Sequence, residues 1–283
     1  MKYSIIVPHF NDFKSLERLL DSIPHRDDIE VIVVDDKSTD TYELTNIKSK
    51  CIFLDNNTEQ KSAGTCRNLG LKIAKGKWLL FADSDDVFTD EAFNYLDAVS
   101  QSNDDIIYFK SLSLVEETGE ISDRNSYLLD LVNQHLQTGD ESIRYRYYPP
   151  WGKLIRHQLV KDNNISFDQV MASNDVMFSV KTGYYAKSIS SVDKPIYCVM
   201  QRKNSLTTKP SKKNQKIRLV VELNKNDFLY EKGLKYYQTS LQSLLSKYKD
   251  VLSSETSFRI VRSFISFRQR VLPNSIQDKL GFK

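Results

Sequence analysis

Three short polar clusters in this 283-residue chain carry residue types that could do chemistry: Pro8-His9-Phe10-Asn11, Asp35-Asp36 and Asp83-Ser84-Asp85. Carboxylates two apart, as in Asp83-x-Asp85, suit a hard divalent cation, because Mg²⁺ and Mn²⁺ take oxygen ligands and bridge diphosphates. In an extended segment the side chains at i and i+2 point the same way, so one carboxylate is expected on a metal and the other on a ribose hydroxyl. The usual phosphate cradles are missing. No GxGxxG follows the first apolar run and no GxxxxGK[ST] occurs, which disfavours a common dinucleotide fold and a P-loop. A metal-neutralised diphosphate is the chemistry that remains.

The elements that must position these clusters are legible. Ser4 to Val7, Glu30 to Val34, Cys51 to Leu54, Trp78 to Ala82 and Asp105 to Phe109 are short apolar, β-rich runs. Between them, Phe13, Leu16, Leu19, Leu20 and Ile23 recur at helical spacing, and Cys66 to Ala74 and Ala92 to Val99 read as helices. Continuous apolar strands alternating with helices predict an α/β fold with a Rossmann-like, mostly parallel sheet covered on both faces. In such sheets the ligand lies beyond the carboxyl ends of the strands. All three polar clusters sit there. One Asp after a strand is ordinary turn chemistry; acidic clusters on two strands of one sheet argue for a site.

Those residues carry a specific resemblance. Ser4-Ile5-Ile6-Val7-Pro8 with Phe10-Asn11, then Val31-Ile32-Val33-Val34-Asp35-Asp36, then Arg67-Asn68-Leu69-Gly70, then Phe81-Ala82-Asp83-Ser84-Asp85-Asp86 closely resemble family 2 glycosyltransferases of the bacterial polysaccharide-biosynthesis type. These are inverting enzymes with the GT-A fold. The resemblance implies that Pro8, Phe10, Asp36, Arg67, Asp83, Ser84 and Arg202 bind the nucleotide-sugar, and that Asp85 holds Mn²⁺ or Mg²⁺. Gly64 matches a small-residue position of the family, and Cys66 stands where Ala is usual, as a packing residue.

The second half extends the likeness to about residue 207. Trp151-Gly152-Lys153-Leu154 resembles a W-G-K-L segment, and Asn174-Asp175-Val176-Met177-Phe178 resembles an E-D-x-x-F segment with Asn for Glu. By that resemblance Asp175 is the catalytic base, with Trp151, Lys153 and Asn174 on the acceptor side. Gln201-Arg202-Lys203-Asn204-Ser205-Leu206-Thr207 resembles an R-x-x-S-I-T element that closes over the diphosphate. The implied organisation is a nucleotide-sugar half over residues 1–110, an acceptor half over 111–207 and a basic helical extension over 208–283.

Charge supports that last division. The net charge is +3, yet residues 207–283 hold 16 Lys/Arg against 6 Asp/Glu while 1–206 hold 24 against 31. An acidic body argues against nucleic acid as a partner. In the tail, Phe258, Val261, Phe264 and Ile265 recur at helical spacing among Arg259, Arg262, Arg268 and Arg270, a pattern that packs on the body, pairs with a second copy or rests on an anionic membrane. No apolar run approaches the roughly 20 residues of a membrane span. The three scattered cysteines form no CxxC pair. A cytoplasmic protein, peripheral at the inner face of the membrane if the tail binds lipid, is expected. The expected activity is metal-dependent inverting transfer from a UDP-sugar to a hydroxyl of a glycan or lipid-linked acceptor. Two competing readings are a nucleotidyltransferase, which normally has a Gly-rich basic loop where this chain has His9-Phe10-Asn11-Asp12, and a non-catalytic binder of sugar nucleotides, which has no need of Asp36, Asp83, Asp85 and Asp175 together.

Overall fold

The computed structural model describes residues 1–40, 50–202 and 211–273. The first apolar runs form β1 (Tyr3–His9), β2 (Ile29–Asp35), β3 (Ile52–Asp55) and β4 (Trp78–Phe81), with helices α1 (Phe13–Asp21) and α2 (Ala63–Ile73) between them. Then follow β5 (Val87–Phe88), α3 (Ala92–Val99), β6 (Ile106–Val115), α4 (Ser126–Thr138), α5 (Ile143–Arg146), β7 (Lys153–Arg156), α6 (His157–Asp162), α7 (Val176–Tyr185) and β8 (Ile189–Gln201). They build one eight-stranded sheet in the order β3-β2-β1-β4-β7-β6-β8-β5. The pairs β1–β2, β1–β4, β2–β3 and β6–β8 are parallel, whereas β7 runs antiparallel between β4 and β6 and β5 runs antiparallel on β8.

The continuous apolar runs have a simple cause. Every residue of β1 and of β4 is buried, as a strand with helices on both faces requires. The α1 cap is equally local: Asp12 accepts from the Ser15 amide at 3.2 Å and satisfies one of the helix's orphan donors. Two departures from the sequence reading stand out. The Trp151-Gly152-Lys153-Leu154 segment supplies a strand, β7, that stitches the two halves into one sheet; four residues beginning with Lys give no clear alternation. The expected boundary at 110 lies inside β6, which pairs with both β7 and β8.

Beyond residue 210, α8 (Lys212–Glu231), a 3₁₀ turn (Lys235–Tyr237), α9 (Leu241–Tyr248), a second 3₁₀ turn (Lys249–Val251) and α10 (Ser254–Ile265) form the C-terminal extension. It has its own apolar cluster of Leu219, Leu223, Leu244, Tyr248, Val251 and Ile260. A second cluster of Tyr145, Val180 and Leu229 fastens α8 to the body. The buried Lys225 ammonium reinforces that joint, donating to Glu222 Oε2 at 2.6 Å, Thr239 Oγ1 at 2.8 Å and the Tyr148 hydroxyl at 3.0 Å. Among the described residues no helix is long and apolar enough to cross a membrane.

Phe81, the last residue of β4, meets Phe167 and Phe178 edge-on at 5.0 and 5.3 Å between ring centroids, and those two rings stack on each other at 3.9 Å. This trio joins the strand that ends in Asp83 to the segment that carries Asp175. Phe81→Ala should therefore cost about 3–5 kcal/mol in denaturant unfolding; a loss below about 1 kcal/mol would show that the joint is not packed in this way.

Candidate active site

Beyond the carboxyl ends of β1, β2 and β4 lies a cleft of about 510 Å³ whose lining includes Pro8, His9, Phe10, Asp12, Asp36, Asp83, Ser84, Asp85, Asp86, Arg124, Trp151 and Arg202. Residues from all three sequence clusters thus share one rim. Another cavity, of about 480 Å³, lies between α2 and α6 and has no carboxylate in its lining. The first gathers five aspartates, Asp12, Asp36, Asp83, Asp85 and Asp86, in its lining.

The nucleotide end is built from loops after parallel strands. Asp36 is buried, its backbone amide donates to His9 O at 2.7 Å, and its Oδ1 accepts from Asn56 Nδ2 at 2.7 Å. Asp35 instead caps the next turn, accepting from the Ser38 amide at 2.8 Å. Asn11, at φ +49°, receives the Thr39 amide on Oδ1 at 2.7 Å, so the first and second loops are tied together. Phe10 stays exposed, with Lys61 Nζ 3.5 Å from its ring centroid. The His9 ring is buried against Phe13, and among the described residues neither of its nitrogens has a hydrogen-bond partner.

The acidic turn differs from the extended geometry that the sequence suggests. The Asp86 amide donates to Asp83 O at 3.1 Å, closing residues 83–86 into a turn. The turn separates the roles of its carboxylates. Asp83 Oδ1 accepts from Arg67 Nη2 at 2.5 Å. Asp85 lines the cleft, and burial first, then the neighbouring Asp83 charge, raises its pKa above the usual carboxylate range. Asp86 is buried and pushed further the same way by burial and by Asp85 and Asp83. It acts as an anchor: Oδ2 accepts from the Tyr197 hydroxyl at 2.9 Å and Oδ1 from the Met200 amide at 2.9 Å, while the Tyr197 oxygen accepts from the Asp83 amide at 2.8 Å. Closely spaced carboxylate oxygens of this kind fit a hard divalent cation that a diphosphate would complete. Among the described residues no group of three or more metal-binding side chains is formed.

Arg67 also reaches the other half of the sheet. Its Nη1 donates to Asn174 Oδ1 at 2.7 Å, so one guanidinium spans the acidic turn and the segment that opens α7. Gly64 permits that approach: a Cβ there would lie 2.1 Å from Asp168 O and 2.9 Å from Asn174 Cβ. Cys66 beside it is wholly buried, and burial pushes its thiol up, as suits a packing residue. Asp175 precedes α7 and makes no side-chain capping bond. Its carboxyl is raised above the ordinary value by burial, opposed by the Arg67 and Lys153 charges and reinforced by Asp83. The candidate base and the acidic turn therefore feel each other's charge.

Two expected acceptor residues have structural surroundings. Trp151 lines the cleft with its plane stacked on Tyr197 at 5.2 Å, and is wall and core at once. Lys153 is absent from the cleft lining. It is buried, donates to Tyr147 O at 2.6 Å and Ser179 Oγ at 3.0 Å, and burial pulls its pKa down to about 7. Two oxygens inside the fold hold the ammonium, which braces β7 against α7. Arg202 lines the cleft but is held by Asp12 Oδ2 at 2.5 Å, by Glu116 and by Ser15 Oγ. Glu116 also holds Arg18, whose Nη2 donates to Asp85 O at 2.8 Å. The rest of the Arg202 element, Lys203 to Thr207, lies outside the described residues. Sequence reasoning missed Asp86, Tyr197, Asp12 and Glu116. The doubled Asp at 85–86 was the one available hint.

An α/β sheet that gathers carboxylates at its strand ends defines a GT-A-type nucleotide-binding enzyme. The description of glycosyl transferase family 2 matches residues 4–163, and the chain belongs to that family. It is 30% identical over 213 residues to the poly(ribitol-phosphate) beta-glucosyltransferase of Bacillus spizizenii, covering 71% of this chain and 33% of that protein. Against the poly(ribitol-phosphate) beta-N-acetylglucosaminyltransferase TarS of Staphylococcus aureus it is 30% identical over 223 residues, covering 71% and 36%. The chain thus spans about a third of the length of these relatives. The crystal structure of TarS in complex with UDP-GlcNAc matches with a TM-score of 0.66 at 24% identity, covering 94% of this chain and 80% of that one, and shows the shared GT-A fold.

The Tyr197 hydroxyl is the hinge of the acidic turn, with one bond to each side of it. Tyr197→Phe should weaken Mn²⁺-supported nucleotide binding by about tenfold, since it strands a buried carboxylate oxygen and frees the Asp83 amide. Titration calorimetry with unchanged affinity would show that the turn holds itself.

Proposed function

We propose that this chain transfers a sugar from a UDP-sugar to a hydroxyl of a glycan or lipid-linked acceptor, inverting the anomeric centre, in the synthesis of a bacterial surface polymer. The observation that carries the reading is the linkage of Asp83 to Asn174 through Arg67, which ties the donor's carboxylates to the loop of a candidate base. The activities that name the relatives, beta-glucosyl and beta-N-acetylglucosaminyl transfer to poly(ribitol-phosphate), support a donor such as UDP-glucose or UDP-GlcNAc and a polyol-phosphate or glycan acceptor. The reaction would run in the cytoplasm, where nucleotide-sugars are made.

In this reading the Asp36 carboxylate and the Pro8–Phe10 loop take the base, and Asp83 and Ser84 take the ribose and diphosphate side. Asp85 would hold a Mn²⁺ or Mg²⁺ ion, whose charge would offset that of the departing diphosphate. Arg202 is already paired with Asp12 and Glu116, so its use on the diphosphate requires exchange of those partners. Trp151 offers the sugar a flat wall. The Asp175 carboxylate accepts the proton of the acceptor hydroxyl as its oxygen attacks the anomeric carbon, and the bond to the diphosphate breaks on the opposite face. Asn174 orients this segment through Arg67 and need not touch the acceptor.

A screen of nucleotide-sugars with Mn²⁺ should release UDP. Release of pyrophosphate from UTP and a sugar 1-phosphate, with no UDP from the nucleotide-sugars, would favour the nucleotidyltransferase, and binding with no turnover on any donor a non-catalytic protein. Asp175→Asn should lower kcat by about 10²–10⁴ while leaving UDP affinity unchanged; full activity in that variant would remove Asp175 from the role. The base works deprotonated and its pKa is raised above the ordinary 3.8, so kcat should be lost, as pH falls, through a midpoint above that value. A rate level down to pH about 4 would contradict the burial of this group.

A further inference from the structure

The helix α10 turns its more apolar side away from the protein. Thr256, Ile260 and Ser263 face inward and are buried, two of the three polar. Phe258, Val261, Phe264 and Ile265 are 69%, 53%, 49% and 68% exposed, and Phe267, just past the helix end, is 81% exposed. At 100° per residue the four helical positions cover an arc of about 120°. A helix placed only to pack on the body would be rotated to bury that arc. Soluble surfaces rarely leave so contiguous an apolar stripe uncovered.

The border of the stripe says what covers it. On the helical wheel Arg262 follows directly beside Phe258 and Ile265, and Glu255 and then Arg259 come after it. Arg259, Arg262 and Arg268 share a recess with Asp227, Ser263 and Ser266. Arg259 takes the one carboxylate there, Asp227 Oδ2, at 2.5 Å. Arg262 and Arg268 have no carboxylate partner among the described residues, and Arg268 lies over the Tyr230 ring at 5.4 Å. The flank of this apolar stripe therefore carries Arg262 and Arg268 against the single exposed carboxylate of Glu255, within a region that holds 16 Lys/Arg against 6 Asp/Glu.

We propose that this face is a docking surface for an anionic lipid bilayer. The α10 helix lies in the plane of the membrane surface. Phe258, Val261, Phe264 and Ile265 enter the acyl boundary, while Arg262 and Arg268 meet lipid phosphates. The inference stands apart from the choice of donor and acceptor, since it uses no residue of the cleft.

Sedimentation of the full chain with phosphatidylcholine vesicles, and with vesicles of equal parts phosphatidylcholine and phosphatidylglycerol, tests it. Binding should need the anionic lipid and fall with added salt. The double variant Phe258→Ser, Ile265→Ser should lower the partition coefficient by at least about tenfold. Arg262→Gln with Arg268→Gln should lower it by about tenfold on the anionic vesicles. UDP affinity should be the same in all forms, which keeps a failure here distinct from a failure of the catalytic reading. Three results would overturn the proposal: no binding to either vesicle, unchanged binding in both double variants, or a dimer in sedimentation equilibrium that Ile265→Ser dissolves.

Discussion

The Arg67 guanidinium stands between two chain segments and bonds to both. One follows β4 and carries Asp83 and Asp85; the other opens α7 and carries Asn174 and Asp175. The residue is 5% exposed and meets Asp83 Oδ1 on one side and Asn174 Oδ1 on the other. A buried charge of this kind is tolerated only when its donors are used. Here its two terminal nitrogens are spent on the two sides of the proposed reaction. With Glu at position 174 the guanidinium would face two carboxylates and an extra negative charge beside Asp175. Asn keeps the hydrogen bond without that charge, so the departure from the family pattern is chemically coherent.

Around that bridge the site is held by parts with distinct duties. The Asp86 carboxylate fixes the acidic turn to β8 through Tyr197 and Met200. The Lys153 ammonium fixes β7 to α7 through Tyr147 O and Ser179 Oγ. The phenylalanine trio of Phe81, Phe167 and Phe178 fixes β4 to the acceptor half. The raised carboxyls of Asp85 and Asp175 follow from this construction. Burial supplies most of each shift, and like charges nearby supply more. Bringing carboxylates together in a poorly hydrated cleft costs free energy that a cation and a diphosphate can offset.

The legible portion of the fold was the portion governed by local pattern. Strands buried on both faces give unbroken apolar runs, so β1, β2 and β4 were readable from Ile5, Val33 or Leu80 alone. Polar residues at their ends placed Asp36, Asp83 and Asp85 at one rim, where the cleft contains them. The two-residue β5 and the Lys-led β7 carry too few residues for a period to register. Lys153 was expected on the acceptor side; its bond to the backbone oxygen of Tyr147, six residues away, cannot be foreseen from spacing. The partners of Arg202, namely Asp12, Ser15 and Glu116, come from stretches 86 to 190 residues distant and no sequence period links them. The outward turn of α10 was equally hidden, since an amphipathic pattern shows that a helix has two faces and not which one the body takes.

The central claim is that a nucleotide diphosphate and a divalent cation share the cleft of Asp36, Asp83 and Asp85. Calorimetric titration of UDP into the full chain, with Mn²⁺ and then with chelator, tests it most directly. The account predicts one site whose affinity collapses when the metal is removed, and which Asp36→Ala weakens with Mn²⁺ present. Equal affinity with and without metal, or binding indifferent to Asp36, would contradict it.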